Sequence, residues 1–119
     1  MPHSPQDLHK KLLGKRGEKL AEQFLLAQGY RLLAKNYRTP FGEADLIVSQ
    51  GEEIVFVEVK TRSSSAYGTP REAVTRDKQE RYRKIALYYG QKVKKELSVR
   101  FDVVEVYENG EIEHYPAAF

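Results

Sequence analysis

Cysteine is absent from this chain, which excludes disulfides, Cys-type zinc sites and thiol catalysis. Long apolar runs are missing as well, and none approaches membrane-spanning length. The opening Met-Pro-His-Ser-Pro-Gln-Asp-Leu-His-Lys-Lys has no apolar stretch, so neither a signal peptide nor an anchor is expected, and a soluble cytoplasmic protein is. His3, His9 and His114 share no metal-ligand spacing and receive no role. There is no internal repeat and no linker. A dominant charge of one sign is lacking too: 20 Lys+Arg against 17 Asp+Glu leave a net charge of +3. The total permits a polyanionic partner without establishing one.

What is present suffices for one core. Of 119 residues, 40% are hydrophobic, with eight Tyr and five Phe among them, so residues 1–119 read as a single folded domain. Ser4 as N-cap and Pro5 in the first turn start a helix. Leu13, Gly17, Leu20, Ala21 and Phe24 then recur at helical spacing up to a stop at Gly29. Tyr30 to Arg38 reads as a strand closed by Thr39-Pro40-Phe41-Gly42. Ala44 to Ser49 and Ile54 to Thr61 form a hairpin around Gln50-Gly51-Glu52-Glu53. A Ser-rich connection from Arg62 to Gly68 reads as a mobile loop. A helix follows from the capping signature Thr69-Pro70-Arg71-Glu72 to about Gly90, with a restart available at Thr75. Its inner face carries Val74, Tyr82, Ile85 and Tyr89. Ser98 to Tyr107 and Glu111 to Tyr115, joined at Asn109-Gly110, are the last two strands.

The chemistry concentrates in Gly42-Glu43-Ala44-Asp45-Leu46-Ile47 and Ile54-Val55-Phe56-Val57-Glu58-Val59-Lys60. Alternation puts Glu58 and Lys60 on one face with Ile54 and Phe56, and Val55, Val57 and Val59 on the other. Both faces are apolar over most of the segment, so it is expected in the middle of a covered sheet. By the same alternation Glu43 and Asp45 share a face. Pairing the two strands brings Asp45 toward Glu58 and Lys60. Two carboxylates and the Val59 carbonyl then offer a hard oxygen set for Mg²⁺ or Mn²⁺. Such an ion would polarise a phosphodiester and lower the pKa of an attacking water, with Lys60 orienting that water or stabilising charge. The competing reading is a cross-strand salt bridge, Lys60 neutralising Glu58 or Asp45.

Asp45, twelve intervening residues and Glu58-Val59-Lys60 resemble the PD-(D/E)xK pattern of restriction-endonuclease-like nucleases. The wider wording resembles the bacterial YraN-like family, which is similar to archaeal Holliday-junction resolvases. It comprises Gly17-Glu18, Gly-Glu-Ala-Asp-Leu-Ile from Gly42, Phe-Val-Glu-Val-Lys-Thr-Arg from Phe56, and Arg100-Phe101-Asp102-Val103-Val104. Ala44 stands where the motif has proline. The resemblance implies an α/β, single nuclease-like domain with an αβββαβ core, a central mixed sheet flanked by helices. It also implies a metal-dependent DNA endonuclease acting on branched or junction DNA as a homodimer. Asp45, Glu58, Lys60 and Glu18 would be catalytic, and Asp45, Glu58, Val59 and Glu18 would hold the metal.

Each supporting residue also has a plainer role. Glu18 could pair with Lys15 or Lys19 on a solvated helix face. Glu43 is a secondary ligand or a strand-start residue. Lys78 and Gln79 face the site under the resemblance, although a lysine stem also covers apolar surface with its head in water. Arg62, Tyr67, Lys78 and Arg81 are the candidate nucleic-acid contacts. Asp102 reads as structural. The alternative function is a non-catalytic nucleic-acid-binding module with a nuclease-like fold; a protein-interaction subunit with a structural salt bridge is the third.

Overall fold

The computed structural model describes residues 5–62 and 74–119. Helix α1 spans Pro5–Ala27, followed by strands β1 (Arg31–Thr39), β2 (Gly42–Gln50) and β3 (Glu53–Arg62). Helix α2 (Arg76–Val93) crosses to β4 (Ser98–Tyr107), and β5 (Ile112–Tyr115) closes the chain. The strands form one mixed sheet in the order β1-β2-β3-β4-β5. Pairing is antiparallel except between β3 and β4, which run parallel across α2. A parallel pair requires a long crossover, and the helix provides it. The protein is therefore α/β, with a five-stranded mixed sheet and, among the described residues, two helices.

β3 lies in the centre, and its alternation divides the core. Val55 and Val57 turn toward α1, packing with Ala21, Leu25, Leu46, Val48, Val104 and Val106. Phe56 turns toward α2, packing with Ile47, Tyr82, Ile85 and Ala86. This is why the strand is apolar on both sides. Val74, Tyr82 and Ile85 are fully buried, as the helical spacing requires, and Tyr89 packs against the same cluster. On α1 the deepest contact is Leu25 rather than its neighbour Phe24. The α2 face has a lid that patterning did not reveal: C-terminal Phe119 stacks on Phe101 and meets Tyr82 edge-on.

Local chemistry explains the boundaries. Thr75 is the N-cap of α2, its side chain accepting from the Lys78 N–H at 3.2 Å. The expected restart is thus an actual helix start. Ser4, Tyr67, the Ser-rich connection from residue 63 to 68 and the capping signature at residues 69–72 lie outside the described residues. The β2–β3 hairpin turns at Gly51 with φ +59°, a conformation that costs a residue with a Cβ. Among the described residues, no helix is long and apolar enough to cross a membrane.

Gly17 sets how closely α1 approaches the sheet. A Cβ there would stand far inside van der Waals contact with the Thr61 Cγ2 methyl on β3. Alanine would favour the helix by about 1 kcal/mol, yet overpacking costs roughly 1–3 kcal/mol. Gly17→Ala is therefore expected to lower the denaturation midpoint. Thr61→Ser, which removes that methyl, should cancel the loss in the double mutant. A loss unchanged by Thr61→Ser would put the strain elsewhere.

Candidate active site

The site begins where a ladder stops. β2 and β3 pair from Gln50↔Glu53 to Leu46↔Val57. Two more residues in that register would place Ala44 opposite Val59, with the Val59 N–H on a β2 carbonyl. Instead the Val59 N–H donates to the Asp45 carboxylate Oδ2 at 2.8 Å. The side chain has taken the place of a backbone acceptor, and the strands separate around it. Tyr82, from α2, reaches the same gap. Its hydroxyl accepts from the Asp45 N–H and donates to the Val57 carbonyl, both at 3.4 Å. These contacts are long, so Tyr82 spaces the strands more than it binds them.

The slip at Asp45 corrects one expectation. Ala44 packs in the α2 cluster and Leu46 in the α1 cluster, so strict alternation fails between them. Glu43 therefore does not share Asp45's surroundings. It pairs with Arg38 at 3.5 Å and lines a cleft of about 550 Å³ with Lys15, Glu18, Lys19 and Lys35.

Glu58 is 3% exposed on the neighbouring strand. Its Oε1 accepts from Lys78 Nζ at 2.6 Å, and Lys60 Nζ stands 3.7 Å away. Burial pushes the Asp45 carboxyl up to about 7, and the Glu58 charge pushes the same way. The Val59 N–H opposes the shift, Glu18 adds to it, and Lys78 opposes it. The charged form of Asp45 is therefore disfavoured in this gap. Burial, with Glu58 and Asp45 nearby, also raises the Tyr82 hydroxyl well above its ordinary value, leaving it a neutral spacer. Strand geometry points the Val59 carbonyl to the same edge as its N–H, beside Asp45. Asp45, Glu58 and this carbonyl make an all-oxygen donor set of the kind a hard divalent cation takes.

The four-donor set that included Glu18 is not assembled. Among the described residues, no group of three or more His, Asp or Glu side chains is arranged to hold a metal. Glu58 is held by Lys78, and Glu18 accepts from Asn36 Nδ2 at 2.6 Å. Glu18 acts on Asp45 through space and faces the cleft beside it. Gln79 turns back, its Nε2 donating to the Val74 carbonyl at 3.0 Å, so it secures the start of α2. Arg62 pairs with buried Glu105 at 3.3 Å. Arg81 is exposed on α2, its stem against Gly42. Tyr67 lies outside the described residues.

Two residues escaped sequence reasoning. Tyr82 reads as core, but a buried phenol needs a partner for its hydroxyl, and that need was the available signal. His114 belongs to a second charged network on the α1 face. Asp102, fully buried, accepts from Arg100 through both oxygens at 2.8 Å and from the Ala117 N–H at 2.9 Å. His114 Nε2 lies 2.7 Å from the same carboxylate. Burial alone would raise the Asp102 carboxyl, but these contacts outweigh it and hold it below its usual value. Arg100 also reaches Glu53 and the Tyr30 hydroxyl. Asp102 thus anchors the C-terminal segment, the structural role expected of it.

Fold and site together define an α/β protein with a carboxylate pair, bracketed by lysines, at a break in a mixed sheet. Comparison with known proteins gives the family. Residues 17–106 match the model of the uncharacterised protein family UPF0102, and the chain belongs to that family. A UPF0102 protein of Thermodesulfovibrio yellowstonii is 50% identical over 107 residues, covering 90% of this chain and 95% of that one. Another, from Geobacter metallireducens, is 44% identical over 116 residues, covering 94% and 95%. Among solved structures, Pyrococcus furiosus SfsA in complex with Ca²⁺ aligns at a TM-score of 0.34 and 17% identity. The alignment covers 92% of this chain but 64% of that one.

Asp45 is raised in the folded protein relative to its ordinary value of 3.8. Its contribution to stability is therefore fully present below about pH 4 and is lost as pH rises through about 7. In metal-free buffer Asp45→Asn, which keeps the acceptor for Val59, is expected to raise the denaturation midpoint at pH 8 by roughly 4–8 °C, the shift of about 1 kcal/mol. The gain should shrink toward pH 5. A difference independent of pH would mean that Asp45 is not destabilised by its charge.

Proposed function

We propose that this protein is a Mg²⁺- or Mn²⁺-dependent DNA endonuclease that hydrolyses phosphodiester bonds. The observation that carries the reading is the Asp45 carboxylate in the gap between β2 and β3, with Glu58 and Lys60 on the adjoining strand end. Asp45, Glu58 and the Val59 carbonyl would hold the ion. When bound, the ion would polarise the phosphodiester and lower the pKa of the attacking water. Lys60 would orient that water as its oxygen bonds to phosphorus and the ester oxygen departs with a proton. Glu18 tunes Asp45 from the cleft. Lys78 and Arg81 at the rim are the phosphate contacts, and Arg62 joins them only by leaving Glu105. Tyr67, five residues beyond Arg62 in the sequence, is a stacking candidate.

This reading carries with it the restriction-endonuclease-like fold and the kinship with YraN-like proteins and junction resolvases. Element order and the Asp45…Glu58-Val59-Lys60 spacing support both. Branched DNA is then the favoured substrate. Resolving a junction takes two symmetric cuts, so a homodimer is the expected working form. The cytoplasm is the compartment this reading expects.

One observation favours a second reading. Glu58 is already satisfied by two lysines, which suits a nucleic-acid-binding module with a nuclease-like fold and no turnover. A cleavage panel separates the two. Four-way junction, flap, single-stranded and linear duplex DNA are incubated with Mg²⁺ or Mn²⁺ and wild type, Asp45→Asn or Lys60→Ala. The nuclease reading expects metal-dependent cutting that falls on the order of a hundredfold or more in each variant. Salt-sensitive binding without cutting, unchanged in Asp45→Asn, establishes the module instead.

A further inference from the structure

The contact most at odds with a metal site is also the most informative one. Lys78 Nζ lies 2.6 Å from Glu58 Oε1, as short as a charge-assisted bond becomes. A Mg²⁺-sized ion would need that carboxylate at about 2.0–2.1 Å. An ammonium and a divalent ion cannot share one oxygen at those distances without strong repulsion, and across the two oxygens of one carboxylate they still repel, so Lys78 and the ion compete for Glu58. The two lysines differ in how readily they yield. Lys60 is on the same strand as Glu58 and already stands off at 3.7 Å. Lys78 comes from the first turn of α2, and its side chain is 33% exposed. Its flexible stem lets the head swing into water while Glu58 stays in place.

We infer that Lys78 is the resident cation of this site, a tethered competitor that neutralises Glu58 until a divalent ion displaces it. The inference rests on the proposed metal site and adds its regulation. Once displaced, the ammonium stands at the rim of the site without its Glu58 partner. An incoming phosphodiester supplies the missing anion. Divalent ion and nucleic acid therefore favour each other's binding through Lys78, because each removes a partner that the other would have to displace. Without nucleic acid, the tether keeps the affinity for metal low.

The test is Mn²⁺ binding by calorimetry to the full chain without nucleic acid, comparing wild type, Lys78→Met, Lys78→Arg and Asp45→Asn. Lys78→Met keeps the stem and removes the charge, and should bind Mn²⁺ about tenfold more tightly than wild type. Lys78→Arg, which keeps the competitor, should stay near wild type. Thermal denaturation in EDTA checks that each variant folds, and Lys78→Gln replaces Lys78→Met should that variant fail. Equal or weaker binding by the charge-removed variant, with wild-type binding that is lost in Asp45→Asn, overturns the tether and leaves the metal site standing. Binding by Lys78→Met alone supports the tether in its strongest form. No binding by any variant overturns both the tether and the metal site.

Discussion

A single hydrogen bond organises this molecule's candidate site: the Val59 N–H donating to the Asp45 carboxylate. A buried backbone N–H must be satisfied, and in a sheet the partner is ordinarily a carbonyl of the next strand. Using a side chain instead lets β2 leave β3 at the point where both carry carboxylates. The same substitution breaks the alternation of β2, sending Glu43 to the α1 cleft and leaving Asp45 between the strands. The strands can part because each remains held elsewhere: β2 by β1, and β3 by ten paired positions along β4.

The electrostatics follow from that opening. Asp45 is desolvated and close to Glu58, so its charged form is disfavoured. Glu58 is more deeply buried but holds a lysine at 2.6 Å. Two acidic groups a few residues apart in space thus have different environments, one compensated and one not. Such division is common where a cation or proton is to be exchanged. Lys78 determines which carboxylate is compensated, and it comes from a helix whose capping by Thr75 sets its first turn.

At a separate place on β4 the opposite solution is used. Asp102 is fully buried, yet Arg100, His114 and the Ala117 N–H satisfy it. Its charge is therefore stabilised where that of Asp45 is not. The network ties β5 and the chain end to the sheet, and Phe119 then closes the α2 face over Phe101 and Tyr82. A fully paired ionic cluster and an under-compensated one in the same small protein mark the second as the place where chemistry is to be sought.

Much of the fold was legible in the linear sequence because periodicity is a local property. The hairpin at Gly51, the two-sided burial of β3 and the inner face of α2 all follow from apolar spacing. The placing of Asp45, Glu58 and Lys60 on adjoining strands was legible too, whereas alternation wrongly groups Glu43 with them. What alternation could not supply was its own interruption: the slip at Asp45 depends on Val59 from another strand and Tyr82 from a helix. Nor could spacing assign Glu58 to Lys78, twenty residues away, in preference to Lys60, two residues away, since that pairing depends on how α2 lies across the sheet. His114 and Phe119 were silent for the same reason. Local pattern in the chain specifies which segments are helix and strand and which faces are apolar. Which charge meets which is set by how the elements pack, because ion pairing and desolvation depend on distances between elements that no local pattern encodes.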